Sequence, residues 1–166
     1  MVAYSFKDRF VAPIRSGTKT QTLRGPRARH ARPGETVHLY CRMRRRDCFA
    51  IPLDGHPVCT GVARVDLEPM DGTMRVVVEG VPLPPEEAEE FARRDGFGGG
   101  GAPASEEFAR WWTETHGDGG STDLTVIVWD VRGADWRPVS TGRTTPAHPP
   151  SVDEAIGTRT GGTNGT

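Results

Sequence analysis

The run Ser16-Gly17-Thr18-Lys19-Thr20-Gln21-Thr22-Leu23-Arg24 places an amine among threonine hydroxyls, an amide and a guanidinium. Of the chain's 21 basic residues only Lys7 and Lys19 are lysines. A desolvated ammonium can lose its proton near neutral pH, whereas a guanidinium stays charged. Thr22 Oγ1 is a poor nucleophile at its own pKa, and a neutral amine beside it can take its proton, as in hydrolases of the Ser-Lys type. Lys19 is therefore the candidate base and Thr22 the candidate nucleophile or holder of a water. Arg24 is placed to neutralise an oxyanion or a phosphate. The same residues admit a simpler reading, with Lys19 and Arg24 as phosphate contacts on an RNA face and Thr20 and Thr22 as ordinary strand residues.

The flanking pattern says what must position them. Phe6, Phe10 and Ile14 are spaced as one face of a short helix that stops at Gly17. Thr20, Thr22 and Arg24 then alternate with Gln21 and Leu23, which predicts a strand with those three on one face and Lys19 at its start, ended by Gly25-Pro26. A turn at Pro33-Gly34-Glu35 leads into a strand over 36–41 and a basic cluster over 42–46. Tyr40, Arg42, Arg44 and Arg45 are candidates to track a nucleic-acid backbone from there, the alternative being a solvated loop. Two strands over 57–67 and 73–79 are separated by an Asp71-Gly72 hairpin signal.

Pro84-Pro85 opens a helix with acids in its first turn and Arg93-Arg94 in its last, stopping at Asp95-Gly96. Ser105 is the expected cap of a second helix over 106–115 that carries Phe108, Trp111 and Trp112. Adjacent tryptophans cannot both face the core, so one is expected to pack and the other to lie at a groove, available to stack on a base. A final strand covers 124–131. About five strands and three helices, without repeats or a βαβ rhythm, point to an α+β or small-barrel fold.

The chain has 166 residues, only 35% of them hydrophobic, which fits one domain over 1–136 followed by a disordered Gly/Thr/Pro-rich tail over 137–166. Net charge is −1, but residues 1–64 carry 13 basic and four acidic residues, and the remainder eight basic and 18 acidic. A basic half suggests RNA or a nucleoside as partner. No 18-residue apolar run and no signal-peptide layout are present, so a cytoplasmic protein without membrane contact is expected. Cys41, Cys48 and Cys59 are too irregularly spaced for a common zinc pattern unless His38 and His56 join Cys48 and Cys59, and free buried thiols are the simpler reading. No cofactor is expected, and nothing in the sequence signals a particular oligomeric state.

Phe6-Lys7-Asp8-Arg9-Phe10, Pro13-Ile14, the Ser16 to Arg24 run and Pro33-Gly34-Glu35 together resemble the ASCH domain of the PUA-like superfamily. The resemblance runs from about Tyr4 to Val131, and the Arg- and Gly-rich composition is similar to ASCH proteins of actinobacteria and their phages. It implies a small β-barrel of about five to six strands with flanking helices. It also implies a link to RNA, with members that bind it, members reported as nucleases, and small bacterial members that hydrolyse the acetyl amide of N(4)-acetylcytidine. In that last group the site is a lysine, a threonine and a glutamate. Lys19 and Thr22 match the first two, and Asp95 stands where the glutamate belongs, with Glu90 an alternative acid. In this reading Asp95 protonates the leaving amine. Aspartate is one methylene shorter, and a relay set for glutamate could miss by about 1 Å. The competing readings are a noncatalytic RNA-binding module and a ribonuclease using His30 or His38.

Overall fold

The computed structural model describes residues 2–70 and 73–132. The Asp71-Gly72 turn and the 137–166 tail of the sequence reading lie outside the described residues. Among the described residues are eight strands and three α-helices: β1 (Val2–Phe6), α1 (Val11–Ser16), β2 (Gln21–Arg24), β3 (Val37–Cys41), β4 (Phe49–Ala50), β5 (His56–Met70), β6 (Thr73–Val78), β7 (Val81–Pro82), α2 (Pro85–Arg94), α3 (Ala104–His116) and β8 (Ser121–Arg132). No helix among them is long and apolar enough to cross a membrane.

The fold is mixed α+β and mostly sheet, but the expected closed barrel is corrected. The strands form two open sheets, a three-stranded one in the order β1-β3-β4 and a five-stranded one in the order β2-β8-β5-β6-β7. On one side the sheets meet through a single bridge, Thr36 opposite Val58, flanked by bonds from Gly34 N–H to the Cys59 carbonyl and from Cys59 N–H to the Glu35 carbonyl, each 2.8 Å. On the other side no ladder joins β1 to β2. Guanidiniums span that seam: Arg24 Nη2 donates to the Ser5 carbonyl at 2.7 Å and Arg27 Nη1 to the Ala3 carbonyl at 3.4 Å. Side chains thus satisfy β1 edge carbonyls that a closing strand would have used.

The first strand corrects a second expectation. Phe6 belongs to β1, where Val2, Tyr4 and Phe6 are buried in strict alternation, and pairs in parallel with β3. Only Asp8–Phe10, a 3-10 turn, and α1 are helical, and α1 ends as expected on left-handed Gly17 at φ 76°. Ser105 is a third correction. The helix starts at Ala104 after Pro103, and the Ser105 hydroxyl donates to Glu89 at 2.7 Å. The Glu89 carboxylate also accepts the Ala104 and Ser105 N–H groups at 2.8 and 2.9 Å, doing the capping work from the neighbouring helix. The core lies between the sheets and the helices, with Tyr4, Ile14, Val65, Leu67, Phe108 and Ile127 at its centre.

Candidate functional site

The position of Lys19 follows from the ends of two helices. Past Gly17 the chain turns so that Lys19 N–H reaches the Pro13 carbonyl at 3.0 Å, and Thr20 N–H then bonds the Arg94 carbonyl, the last of α2, at 2.9 Å. The Thr20 carbonyl accepts Trp129 N–H at 2.9 Å, which docks the start of β2 on β8. This backbone clamp sets Lys19 beside the residue that follows Arg94, which is Asp95.

The end of α2 is a Schellman motif. Gly96 N–H bonds the Arg93 carbonyl at 3.0 Å and Phe97 N–H the Ala92 carbonyl at 3.2 Å, with Gly96 at φ +94°. The Asp95 carbonyl is left free by that arrangement, and Lys19 Nζ donates to it at 2.5 Å and to Asp95 Oδ1 at 2.5 Å. Asp95 therefore reaches the lysine despite its short side chain. Gly96 makes this contact attainable, because a Cβ there would stand 3.1 Å from Lys19 Cδ and 3.3 Å from Lys19 Cβ. Without one, the 95–96 backbone settles against the lysine stem. Gln21, unassigned from the sequence, holds the same turn by donating Nε2 to the Phe91 carbonyl at 3.0 Å. It is 2% exposed, and its place as the single amide inside the lysine motif was the signal that could have found it.

Lys19 is 2% exposed and Asp95 5%. Burial pushes the Lys19 amine below its ordinary range, against the opposing attraction of Asp95, and lifts the Asp95 carboxyl above its own, against Lys19 and Arg24. Both members are driven towards their neutral forms, with a short hydrogen bond between them. The Phe10 and Phe6 rings lie 4.7 and 5.7 Å from the Lys19 amine and exclude water from it.

This pair lies in the wall of a cavity of about 1200 Å³ that also takes in Thr22, Arg24, Arg42, Arg45, Trp111, Trp112 and His116. Thr22 is buried at 5% exposure. Arg24 lies over the Phe6 and Tyr4 rings at 4.9 and 5.6 Å, and its buried Nε has no partner among the described residues. Arg42 is held by Asp8 and Asp47, with Nε donating to Asp8 Oδ1 at 2.6 Å. Trp111 and Trp112 both line the cavity, so the expected division between core and groove is one of degree. Trp112 is buried against Phe108 with its ring stacked at 4.0 Å on His116, while half-buried Trp111 meets Phe10 edgewise and Phe97 at a tilt.

Other residues singled out from the sequence are not gathered here. Thr20 contributes its backbone, as above, and its side chain does not line the cavity. Tyr40 points to the opposite face of β3 from Leu39 and Cys41 and lines a smaller pocket with His38, a consequence of strand alternation. Arg44 sits in the exposed turn at φ 69° outside the cavity. His30, stacked on Tyr4 at 6.4 Å, is also outside it, whereas the unforeseen His116 is inside. Glu90 is exposed and paired with Arg93 and Arg94. Cys41 and Cys59 are buried free thiols and Cys48 is exposed, and among the described residues no group of three or more His, Cys, Asp or Glu is placed to hold a metal ion.

No family model matches this chain, and no curated protein or solved structure does.

Proposed function

We propose that this chain is an ASCH-type, PUA-like cytoplasmic domain that hydrolyses the amide of an N-acylated cytidine, free or within RNA. One observation carries the reading: a lysine amine and a carboxyl, both buried, share a 2.5 Å hydrogen bond in the wall of a large cavity beside Thr22 and Arg24. A structural ion pair would need no cavity beside it. An amide hydrolase needs one, with a nucleophile in its wall, for which Thr22 is present, and a base and an acid of matched strength.

The chemistry closes on itself. The neutral Lys19 amine takes a proton from the nucleophile, which is Thr22 Oγ1 or a water held on it. The oxygen attacks the acyl carbonyl, and Arg24 answers the charge that develops on the carbonyl oxygen. The neutral Asp95 carboxyl gives its proton to the exocyclic nitrogen of cytosine as the C–N bond breaks. Lys19 is then an ammonium and Asp95 a carboxylate, and one transfer across their hydrogen bond restores the starting pair. If Thr22 itself attacks, its acyl ester is hydrolysed in a second round by the same base. Mass spectrometry of protein quenched during turnover distinguishes the two, since only direct attack adds an acyl group to the chain.

The test is release of cytidine from N(4)-acetylcytidine by purified protein. Turnover is expected in the wild type and is abolished in Lys19→Ala and equally in Lys19→Arg, because a guanidinium cannot accept the proton. Full activity in Lys19→Arg overturns the base role. No turnover by any form, with RNA binding that weakens steeply between about 50 and 200 mM salt, would establish the noncatalytic RNA-binding module instead.

A further inference from the structure

The cations of the cavity are unequally matched. Arg9 pairs with Glu107 at 3.0 Å, Arg42 with Asp8 and Asp47, Arg45 with Asp47 at 3.6 Å, and Lys19 with Asp95 at 2.5 Å. Among the described residues, Lys7 and Arg24 line the cavity with no carboxylate at ion-pair distance. Arg24 has work in the reaction above. Lys7 has none, yet it is the chain's one other lysine, and it is held over the cavity with Nζ 5.3 Å from the centroid of the Trp111 ring. Cytidine is neutral and offers such a cation nothing. A phosphate monoester carries about −1.5 to −2 charges at neutral pH and a diester about −1, and either takes a compact ammonium as a natural partner. Room is not limiting, since about 1200 Å³ exceeds the ~300–1,000 Å³ of clefts that enclose drug-sized ligands.

We propose that the substrate is a phosphorylated nucleotide, an acylated cytidine bearing a phosphate ester that Lys7 binds while the Lys19–Asp95 pair works on the base. The inference rests on the reading of the cavity as a cytidine site. The ester belongs either to a free mononucleotide, as a monoester, or to one residue of an RNA strand, as a singly charged diester, and both present anionic phosphate oxygens to Lys7. Trp111 beneath the lysine keeps the ammonium over the cavity and its ring within reach of a base that displaces the lysine stem.

Titration calorimetry on the full chain, at about 50 mM salt so that charge is little screened, reads binding without turnover. Cytidine 5′-monophosphate is expected to bind about tenfold or more tightly than cytidine, from one charge-assisted contact. The preference should fall to near one in Lys7→Ala and survive in Lys7→Arg. Lys7 is exposed, so the fold tolerates both changes. Equal affinities in the wild type, or a preference that persists in Lys7→Ala, overturn the proposal, as does failure of both ligands to bind. Steady-state kinetics then compare the acylated nucleoside, its 5′-monophosphate and a short acylated oligonucleotide. A higher kcat/KM for the mononucleotide identifies the free ester as the source, and a higher one for the oligonucleotide identifies the strand. Lys7-dependent nucleotide binding without deacylation of any substrate sinks the hydrolase reading and leaves this inference standing. Deacylation of the nucleoside with no gain from the phosphate does the reverse.

Discussion

Two ion pairs face the same cavity and are pushed in opposite directions. In the inner one the Lys19 and Asp95 side chains are 2% and 8% exposed, and burial drives the amine down and the carboxyl up, towards two neutral groups. In the outer one the Arg42 and Asp8 side chains are 38% and 58% exposed. There hydrogen bonds from Arg42, followed by one from the Cys41 thiol, hold the Asp8 carboxyl at about 2, and the same contacts with Asp8 and Asp47 raise Arg42 above its ordinary value. Both pairs are hydrogen-bonded. Water decides the difference: where it solvates the charges the pair stays ionised, and where it is excluded desolvation outweighs the mutual attraction. The inner pair is thus shifted towards its neutral forms, and the outer one towards its charged forms.

Breaking the inner pair should have the largest effect. Its intact form carries one proton across the neutral range, as the same two groups do when unfolded, so it contributes no pH slope there. Removing one partner exposes the other. In Lys19→Met, Asp95 keeps a folded pKa above 3.8, so the folded state holds a proton that the unfolded chain has released, and stability declines as pH rises through about 4. In Asp95→Asn, Lys19 keeps a folded pKa below 10.5, the unfolded chain binds the additional proton, and stability climbs as pH rises towards 10.5. Each variant should lose roughly 3–5 kcal/mol at neutral pH. The double variant should lose less than the sum, and denaturant unfolding at a series of pH values checks all three. Parallel pH profiles for the two single variants would contradict the burial account.

Gly96→Ala sharpens the comparison at an intermediate scale. A side chain at φ +94°, with its Cβ 3.1 Å from Lys19 Cδ, is strained and pries the 95–96 backbone off the lysine. A loss of roughly 1–3 kcal/mol is expected. Turnover should drop by about 100-fold if the acid shifts by about 1 Å. Gln21→Leu removes one of the two bonds to the Phe91 carbonyl, which still accepts Asp95 N–H at 3.1 Å, and should cost about 0.5–1.5 kcal/mol, read by thermal unfolding. Asp8→Asn at the outer pair should change the least. A slight lowering of the thermal midpoint is expected at low salt and none at about 1 M, where exposed charges are screened.

Much of the inner site was legible because it is local. A single nine-residue run supplies Lys19, Thr22 and Arg24, whereas Asp95-Gly96 by its own pattern reads as a helix stop and Asp95 is singled out as the acid only through the resemblance to the ASCH domain. The contact between Lys19 and Asp95 was not legible, since it depends on the backbone bond from Thr20 to Arg94 across 74 positions of sequence and on the absent side chain of Gly96. The outer pair escaped notice for the same reason: Asp8 and Arg42 meet because β1 and β3 run parallel, and parallel pairing leaves no turn signal between its strands. Phe6 misled because a short apolar run satisfies both periods, reading as a helix with Phe10 and Ile14 and as a strand with Val2 and Tyr4. The open seam between β1 and β2 lies beyond any local pattern, for it is spanned by arginine side chains whose targets are main-chain carbonyls.

The central claim is that burial beside Asp95 makes the Lys19 amine a proton acceptor. A chain with two lysines allows this to be read directly, by ¹⁵N NMR of the side-chain nitrogens in protein labelled at lysine, with Lys7→Gln leaving Lys19 as the single signal. The account predicts that the Lys19 Nζ resonance titrates below the ordinary lysine value of 10.5, and lower still in Asp95→Asn, where the opposing attraction is gone. Titration at or above 10.5 in the wild type would contradict it and leave Lys19 a fixed cation.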